Sequence, residues 1–437
     1  MTLRIHTDDD APRPGPIASA REGSADSTGS SPDRHRRNSG PSRLLLLAGG
    51  GFALLAGLDA ALLLLGVGAP VSGERIAAVH GVLMVLGFVG TLIALERAVA
   101  LARWWGFASP ALLGLGGIAL VSPLPLWAAG ALLIAGTAVQ AAIFVPLWRR
   151  RRDAAVLVQS LGAVGALGGA VLFTGGASAT AYLGWLIGFV VLLIAGERME
   201  LSRLVRAGGA AENAVLACGV ALLAAVTLTM LFPHWGPPVL GAALLASVVA
   251  LLRVDVAGRM RRSRGLPRFS ALCLLAGYVW LAVAGGTLLV VPDPLSGGAY
   301  DAVVHSVFLG FTMSMIFAHA SVILPAVLRR PLPYHPVMYA PAVLLHVALA
   351  VRVVGGDLRG ARLVWQVGGV GNVVAVLGFA VTAVIVAVTA SLRARRRRPA
   401  RPHRADGPVV RLAHPSADHG AAAPADVDAG RVPAEET

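Results

Sequence analysis

Residues 87–97 read GFVGTLIALER, and residues 188–198 read GFVVLLIAGER. The two phrases are identical at eight of eleven positions and lie 101 residues apart. A weaker third copy runs from residue 310 to His319, and it carries histidine where the other copies carry glutamate. A repeat at a long, fixed offset indicates a membrane bundle that is built from copies of one helical unit.

The composition indicates a membrane protein. Of the 437 residues, 56% are hydrophobic and 14% are charged, and a soluble domain needs far less apolar surface. The formal net charge is +14, with arginine as the basic residue throughout and no lysine. A basic chain can bind nucleic acid, but these arginines lie between apolar runs, where membrane topology requires them. We therefore expect the lipid bilayer, and no nucleic acid, as the partner.

Twelve apolar spans are predicted between two polar tails. Residues 1–43 and 392–437 are rich in Ser, Pro, Asp, Gly or Arg and predict disordered tails, while residues 44–391 predict one transmembrane domain. The spans lie at residues 44–67, 76–101, 106–122, 125–148, 154–175, 180–201, 212–232, 237–256, 268–291, 299–327, 336–354 and 362–391. Each is long enough to cross a bilayer as a helix.

The arginines give the orientation of the chain. Clusters precede span 1 and follow every even-numbered span, whereas the opposite loops carry few arginines. The positive-inside rule then predicts that both termini are cytoplasmic, in the inner (plasma) membrane of the cell. The repeated phrase falls on spans 2, 6 and 10, which run in the same direction. The sequence thus predicts an all-α polytopic bundle of three parallel four-helix repeats.

Two histidines are candidate ligands for a metal or a haem. His80 and His305 each lie near the outer end of a repeat helix, at similar depth, and imidazole is a common ligand of haem iron and copper. Relative to the Gly-Phe pair of the repeat, they differ by two residues, or about 200° of rotation on an α-helix. A ligand in the gap between two repeat-related helices requires each helix to turn a different face towards that gap. The rotation between His80 and His305 is therefore compatible with one shared ligand. The alternative is that each histidine packs in the core with a hydrogen bond.

Four other ionisable residues are candidates for a proton path or a second polar site. Glu96, Glu197 and His319 occupy corresponding positions near the inner ends of the repeat helices, and Asp59 is the acid inside span 1. Charges within a bilayer are costly, so each calls for a reason. The alternatives are that Glu96 and Glu197 pair locally with the arginine that follows each of them, and that Asp59 is a buried partner of a nearby Arg or His.

The chain resembles subunit I of the haem-copper oxidases over residues 44–391, through its twelve spans and the histidines of spans 2 and 10. Among such proteins, it is most similar to the divergent relatives typified by NnrS, through the phrases HGVLMVLGF at 80–88 and MIFAH at 315–319. The resemblance implies that His80 and His305 hold a b-type haem. It also implies a role for haem, and for copper, in electron transfer, nitric-oxide-related stress or metal handling, with a redox partner or small-molecule ligand.

The sequence departs from the oxidases at the oxygen-reducing centre. Span 6 has no histidine, span 7 has none before His234, and valines lie two residues to either side of His305. We therefore expect no oxygen-reducing haem-copper centre, and whether the protein is an enzyme stays open. Two other functions remain as alternatives: a proton-coupled transporter of a small molecule or ion, and a non-catalytic membrane assembly factor.

Overall fold

The computed structural model describes residues 39–203, 209–328 and 332–396. These residues contain no β-strand, and they form twelve helices that are long and apolar enough to cross a membrane. We number the helices in chain order. They are α1 Arg43–Leu65, α2 Glu74–Leu101, α3 Trp104–Val121, α4 Leu126–Arg151, α5 Ala154–Thr174, α6 Ala179–Ser202, α7 Ala210–Leu231, α8 Gly236–Val254, α9 Leu266–Val290, α10 Gly297–Pro325, α11 Pro336–Asp357 and α12 Arg362–Arg393.

The prediction of an all-α polytopic bundle is confirmed, and each predicted span corresponds to one helix. The helical backbone begins at Ser39, before the predicted boundary at residue 43, and it continues to Arg396. Most of the predicted tails, residues 1–38 and 397–437, lies outside the described residues. We call the end of the bundle where α1 begins the inner end, and the end where α1 stops the outer end.

The helices pack in a repeating order. In the first unit α1 contacts α2 and α3, and α3 contacts α4; in the second unit α5 contacts α6 and α7, and α7 contacts α8. The fourth helix of each of these units contacts the first helix of the next. The ring closes where Gln366 on α12 donates to the carbonyl of Leu65 on α1, over 2.9 Å. The predicted three parallel four-helix units therefore describe the bundle.

The repeat helices α2, α6 and α10 form the interior. In their most apolar stretches 56%, 72% and 61% of the residues are buried, against 28% for α7 and α12. The phenylalanine of the repeated phrase is buried in all three copies, as Phe88, Phe189 and Phe311. This burial, rather than apolar character, which α7 and α12 share, shows that the repeated phrase marks the three central helices.

Two of the three central helices contain π-helical segments, in which the turn is wider than in an α-helix. Leu83–Gly90 of α2 follows His80 closely, and Ser306–Thr312 of α10 follows His305 directly. By contrast, α6 is α-helical throughout and has no histidine. The two central helices that contain a π-helical segment are thus the two that carry a histidine near the outer end. Since π-helical segments are frequent at functional sites, this coincidence points to the outer halves of α2 and α10.

Candidate functional site

The structure brings His80 and His305 to the same cavity. The cavity has about 710 Å³ of empty space, including its open mouth, and lies between the third and first units. Its walls come from α1, α2, α10, α11 and α12. Ligand and cofactor sites of helical bundles are built between facing helices, so this cavity is the candidate site.

The repeat-related gap between the second and third units is different. It holds about 250 Å³ of empty space and is lined mainly by apolar residues of α6 to α9, such as Leu183, Ile187 and Leu240. Of these two spaces, the larger is lined by two histidines and the smaller is lined by none.

Each cavity histidine has one ring nitrogen in a hydrogen bond. Nδ1 of His80 donates to the carbonyl oxygen of Gly57 on α1, over 2.9 Å. Nδ1 of His305 donates to the carbonyl oxygen of Asp301, over 2.8 Å, and lies 3.2 Å from Oδ1 of the same residue. Neither Nε2 bonds to any residue that the structure describes. The bonds fix the tautomer that leaves the Nε2 lone pair available, as in histidines that ligate metals.

Gly57 on α1 leaves space for the side chain of Met84 on α2. A Cβ atom at this position would lie 2.2 Å from Sδ of Met84. Met84 itself lines the cavity one helical turn after His80. The glycine therefore serves two cavity residues, since its carbonyl accepts from His80 and its missing side chain accommodates Met84.

An ion pair between a buried arginine and a half-buried aspartate lies at the outer part of the cavity. Arg352 on α11 bonds to Asp301 on α10 through Nε and Nη2, each over 3.0 Å, and Arg352 lines the cavity. Trp365 on α12 donates to Asp301 over 2.9 Å, and its ring lies 5.1 Å from the Arg352 guanidinium carbon. Because Asp301 also contacts His305, these groups orient one of the two cavity imidazoles.

One cavity residue has no hydrogen-bond partner in the described part of the chain. Asn372 on α12 is 3% exposed, and both its Oδ1 and its Nδ2 lack a partner. Interior amides of membrane bundles usually bond between helices. Gln366 does so, and Gln159 accepts from Arg97 over 3.0 Å. Asn372 forms no such bond with the described residues.

A second group of polar residues lies near the inner ends of the central helices, around Arg97. Its guanidinium donates to Glu96 beside it, to Glu197 on α6 over 3.1 Å and to Glu200 over 3.3 Å. Gln159 on α5 accepts a fourth bond. The predicted pairing of Glu96 with Arg97 exists, but Arg97 also ties two repeats together.

Arg198, the equivalent of Arg97 in the second copy, bonds elsewhere. Nε and Nη2 hold Asp255 at 2.8 and 3.0 Å, and Nη1 donates to Nε2 of His319 at 2.6 Å. Tyr278 donates its hydroxyl to Asp255 over 2.5 Å, and Nδ1 of His319 donates to the carbonyl of Met315 over 2.8 Å. Both nitrogens of His319 are therefore occupied. We call the residues around Arg97 and Arg198 the inner network.

Asp255 lies outside the membrane-spanning segments, between α8 and α9. Burial of this carboxyl group opposes its ionisation, but hydrogen bonds and charge from Arg198, together with bonds from Tyr278 and the amide of Ala257, outweigh that effect. The pKa of Asp255 is consequently lower than its ordinary value. The carboxylate is the form that holds Arg198.

Asp59 joins neither group. Its Oδ1 accepts from the amide of Val71, in the loop after α1, over 3.1 Å, and its Oδ2 is buried with no partner among the described residues. The candidate residues thus lie in three places. His80 and His305 line the cavity, and Glu96, Glu197 and His319 belong to the inner network. Asp59 bonds to the loop that follows α1 at the outer end.

Sequence reasoning missed several residues of both groups. Arg352 is one of the few arginines near the outer end of the bundle, and this unusual position was the available signal for an acidic partner. Asp301, four residues before His305, has the spacing of helix neighbours. Asp255 and Tyr278 gave no signal, because their contacts join helices that are distant in sequence.

A family described as a domain of unknown function, DUF8744, matches residues 43–388. The chain belongs to this family. The match covers the helical bundle from α1 to within α12, so both the cavity and the inner network lie inside it. No curated protein matches the chain significantly.

Proposed function

We propose that this DUF8744 protein binds a non-covalent b-type haem in the cavity between its third and first units, where His80 and His305 would hold it. The observation that carries the proposal is the orientation of these histidines: both line one cavity, both bond through Nδ1, and both keep Nε2 free of described partners.

The residues of the cavity fit such a group. Neutral imidazole with a fixed tautomer is a good donor to haem iron. The remaining walls are mostly apolar and include Leu58, Val85 and Phe308, while Arg352 supplies a cation that suits the carboxylates of a haem. When bound, a haem with two imidazole ligands supplies one-electron transfer. In the protein, Gly57 and Asp301 hold the two imidazoles, and the apolar walls limit the access of water.

The proposed role is electron transfer, nitric-oxide-related stress or metal handling in the inner (plasma) membrane, with both termini cytoplasmic and with a redox partner or a small-molecule ligand. The arginines at the inner end support this orientation. A distant relationship to haem-copper oxidase subunit I and to NnrS-type proteins is part of the proposal. It is supported by the three four-helix units and the positions of the two histidines on α2 and α10.

Copper is the second candidate for the same cavity. Met84 on α2 and Met313 on α10 line it together with His80 and His305. Imidazole nitrogens and thioether sulfurs suit Cu(I). The helices α2 and α10 therefore each offer one nitrogen and one sulfur donor, which favours copper over other divalent or monovalent ions if no haem binds.

The inner network supports the transporter alternative less well. A transported ion or proton needs groups that exchange partners, whereas Arg97 and Arg198 hold Glu197, Asp255 and His319 in direct bonds. This arrangement favours a structural role for the inner network.

Absorption spectra of the detergent-purified protein, oxidised and reduced, test the proposal. We expect a haem spectrum in the wild type that is lost in His80→Ala and in His305→Ala. His346→Ala is the matched control, because His346 is also half-buried within a span but accepts from Trp280 and does not line the cavity. Retention of the spectrum in either cavity variant would contradict the proposal. A colourless protein with bound copper would favour the second candidate.

A further inference from the structure

The connection between α8 and α9 carries a dense group of arginines at the inner end of the bundle. Five exposed arginines lie on this loop and on the first turn of α9: Arg259, Arg261, Arg262, Arg264 and Arg268. We call these five side chains the basic patch. The acidic residue in this part of the sequence is Asp255, and its carboxylate already holds Arg198.

No acidic side chain of the described residues neutralises the basic patch. The described acids at the inner end are all in ion pairs with arginines outside the patch, namely Glu96, Asp153, Glu197, Glu200, Glu212 and Asp255. The hydrogen bond that the structure gives for a patch side chain stays within the loop, from Nε of Arg261 to the carbonyl of Gly258 over 3.1 Å. The patch is therefore a surplus of positive charge.

The corresponding loop of the first unit, between α4 and α5, uses its arginines differently. Arg150 donates to the carbonyl of Leu101 at the end of α2 over 3.1 Å, and Arg151 pairs with Glu200 on α6. Two of the four arginines at 149–152 thus connect helices, whereas no patch arginine bonds to another helix in the described part of the chain. The unpaired charge is concentrated on the α8–α9 connection.

The fold holds the basic patch close to the membrane surface. Ala257–Met260 forms one helical turn in which Ala257 is fully buried and Met260 packs against the core. Oδ1 of Asp255 accepts from the amide of Ala257 over 2.8 Å, while the same carboxylate bonds to Arg198. Because the loop joins two membrane helices and packs on the bundle, its arginines lie within reach of the headgroup layer, which is about 5–8 Å thick on each side of a bilayer.

We propose that the basic patch binds the phosphate groups of anionic phospholipids in the leaflet at the inner end of the bundle. Guanidinium groups match phosphate oxygens with paired N–H donors, and a cluster of four to eight basic residues directly beside a membrane helix attracts anionic lipids. Bound lipid stabilises the loop, and Asp255 transmits this effect to Arg198 and the inner network. The site is separate from the histidine cavity, so its test does not depend on the proposed function.

Thermal unfolding of the full-length protein in a neutral detergent, after removal of bound lipid, tests this inference. We expect phosphatidylglycerol to raise the melting temperature and phosphatidylcholine with the same acyl chains to leave it unchanged. The variant Arg262→Gln, Arg264→Gln should need about tenfold more phosphatidylglycerol for half of the rise, because each arginine near the surface adds to the attraction. A second variant, Arg259→Gln, Arg268→Gln, removes the same charge from the patch and should behave in the same way.

The variant Arg359→Gln, Arg362→Gln is the matched control. Both arginines are exposed at the outer end, between α11 and the start of α12, so the loss of charge is equal. This variant should respond to phosphatidylglycerol as the wild type does. Equal responses of control and patch variants, or equal effects of the two lipids, would contradict the inference. Inorganic phosphate or polyglutamate that protects as well as phosphatidylglycerol would reveal a site for free anions or acidic chains and would also overturn it.

Discussion

Nη1 of Arg198 on α6 donates to Nε2 of His319 on α10 over 2.6 Å, and this bond joins the second repeat to the third. Arg97 on α2 makes the corresponding connection from the first repeat to the second, through Glu197 at 3.1 Å. The arginine of each Glu-Arg pair therefore reaches the glutamate or histidine of the next copy. The repeated phrase supplies both the central helices and the bonds that connect them.

We predict that Asp255→Asn destabilises the bundle strongly. The change leaves the buried Arg198 guanidinium without its anionic partner, and breaking a buried ion pair in this way costs about 3–5 kcal/mol. Thermal unfolding in detergent measures the effect. Asp293→Asn is the control, because Asp293 is exposed in the loop between α9 and α10. Equal melting temperatures for the two variants would show that Arg198 does not depend on Asp255.

The contribution of Asp255 should depend on pH in a defined direction. Its pKa is lowered in the folded protein, so its stabilising effect is fully present above the unfolded value of about 3.9 and is lost as the pH falls through the lower folded value. The difference in stability between wild type and Asp255→Asn should be constant above about pH 5 and should shrink below about pH 4. A difference that widens on acidification would contradict this assignment.

Arg97 and Glu197 should be energetically coupled. The two residues are in direct contact across repeats, so a double-mutant cycle with Arg97→Gln and Glu197→Gln should give a coupling energy of about 0.5–3 kcal/mol in thermal unfolding. Arg97 with Glu74, at opposite ends of α2, is the control pair and should give additive effects. Additivity in both pairs would mean that the cross-repeat bond contributes nothing measurable.

Gly57→Val should weaken ligand binding in the cavity. The new side chain clashes with Met84, whose Sδ would lie 2.2 Å from the added Cβ. It also disturbs the turn of α1 whose carbonyl oxygen accepts the hydrogen bond from His80. Gly51→Val on the same helix is the control, since no atom lies within 4 Å of a Cβ there. Titration with haem should show at least a tenfold loss for Gly57→Val alone; equal affinities would contradict the role given to Gly57.

Much of the fold could be predicted from the sequence. The lengths of the apolar runs predict the twelve spans. The repeat at residues 87–97 and 188–198 then predicts the four-helix unit, and it falls on helices that are central in the structure. The π-helical segments after His80 and His305 could not be predicted. The helix-phase argument used a uniform α-helical rotation, and these wide turns change the direction in which the residues on either side of them point.

The site was predictable only in part. His80 and His305 stand out as histidines within apolar spans, and the structure brings them to one cavity. The lack of a hydrogen-bond partner for Asn372 could not be predicted, because it depends on which side chains of other helices surround this residue. The partners of Arg198 were unpredictable for the same reason, since Asp255 and Tyr278 lie 57 and 80 residues later in the chain.

The haem content of the purified wild-type protein tests the central claim most directly. The full-length chain is produced with haem available, purified in detergent, and assayed for haem by its pyridine adduct and for copper by elemental analysis. The account predicts one haem per chain, and less than a tenth of that in the His80→Ala, His305→Ala double variant. Folded wild-type protein without haem would contradict it.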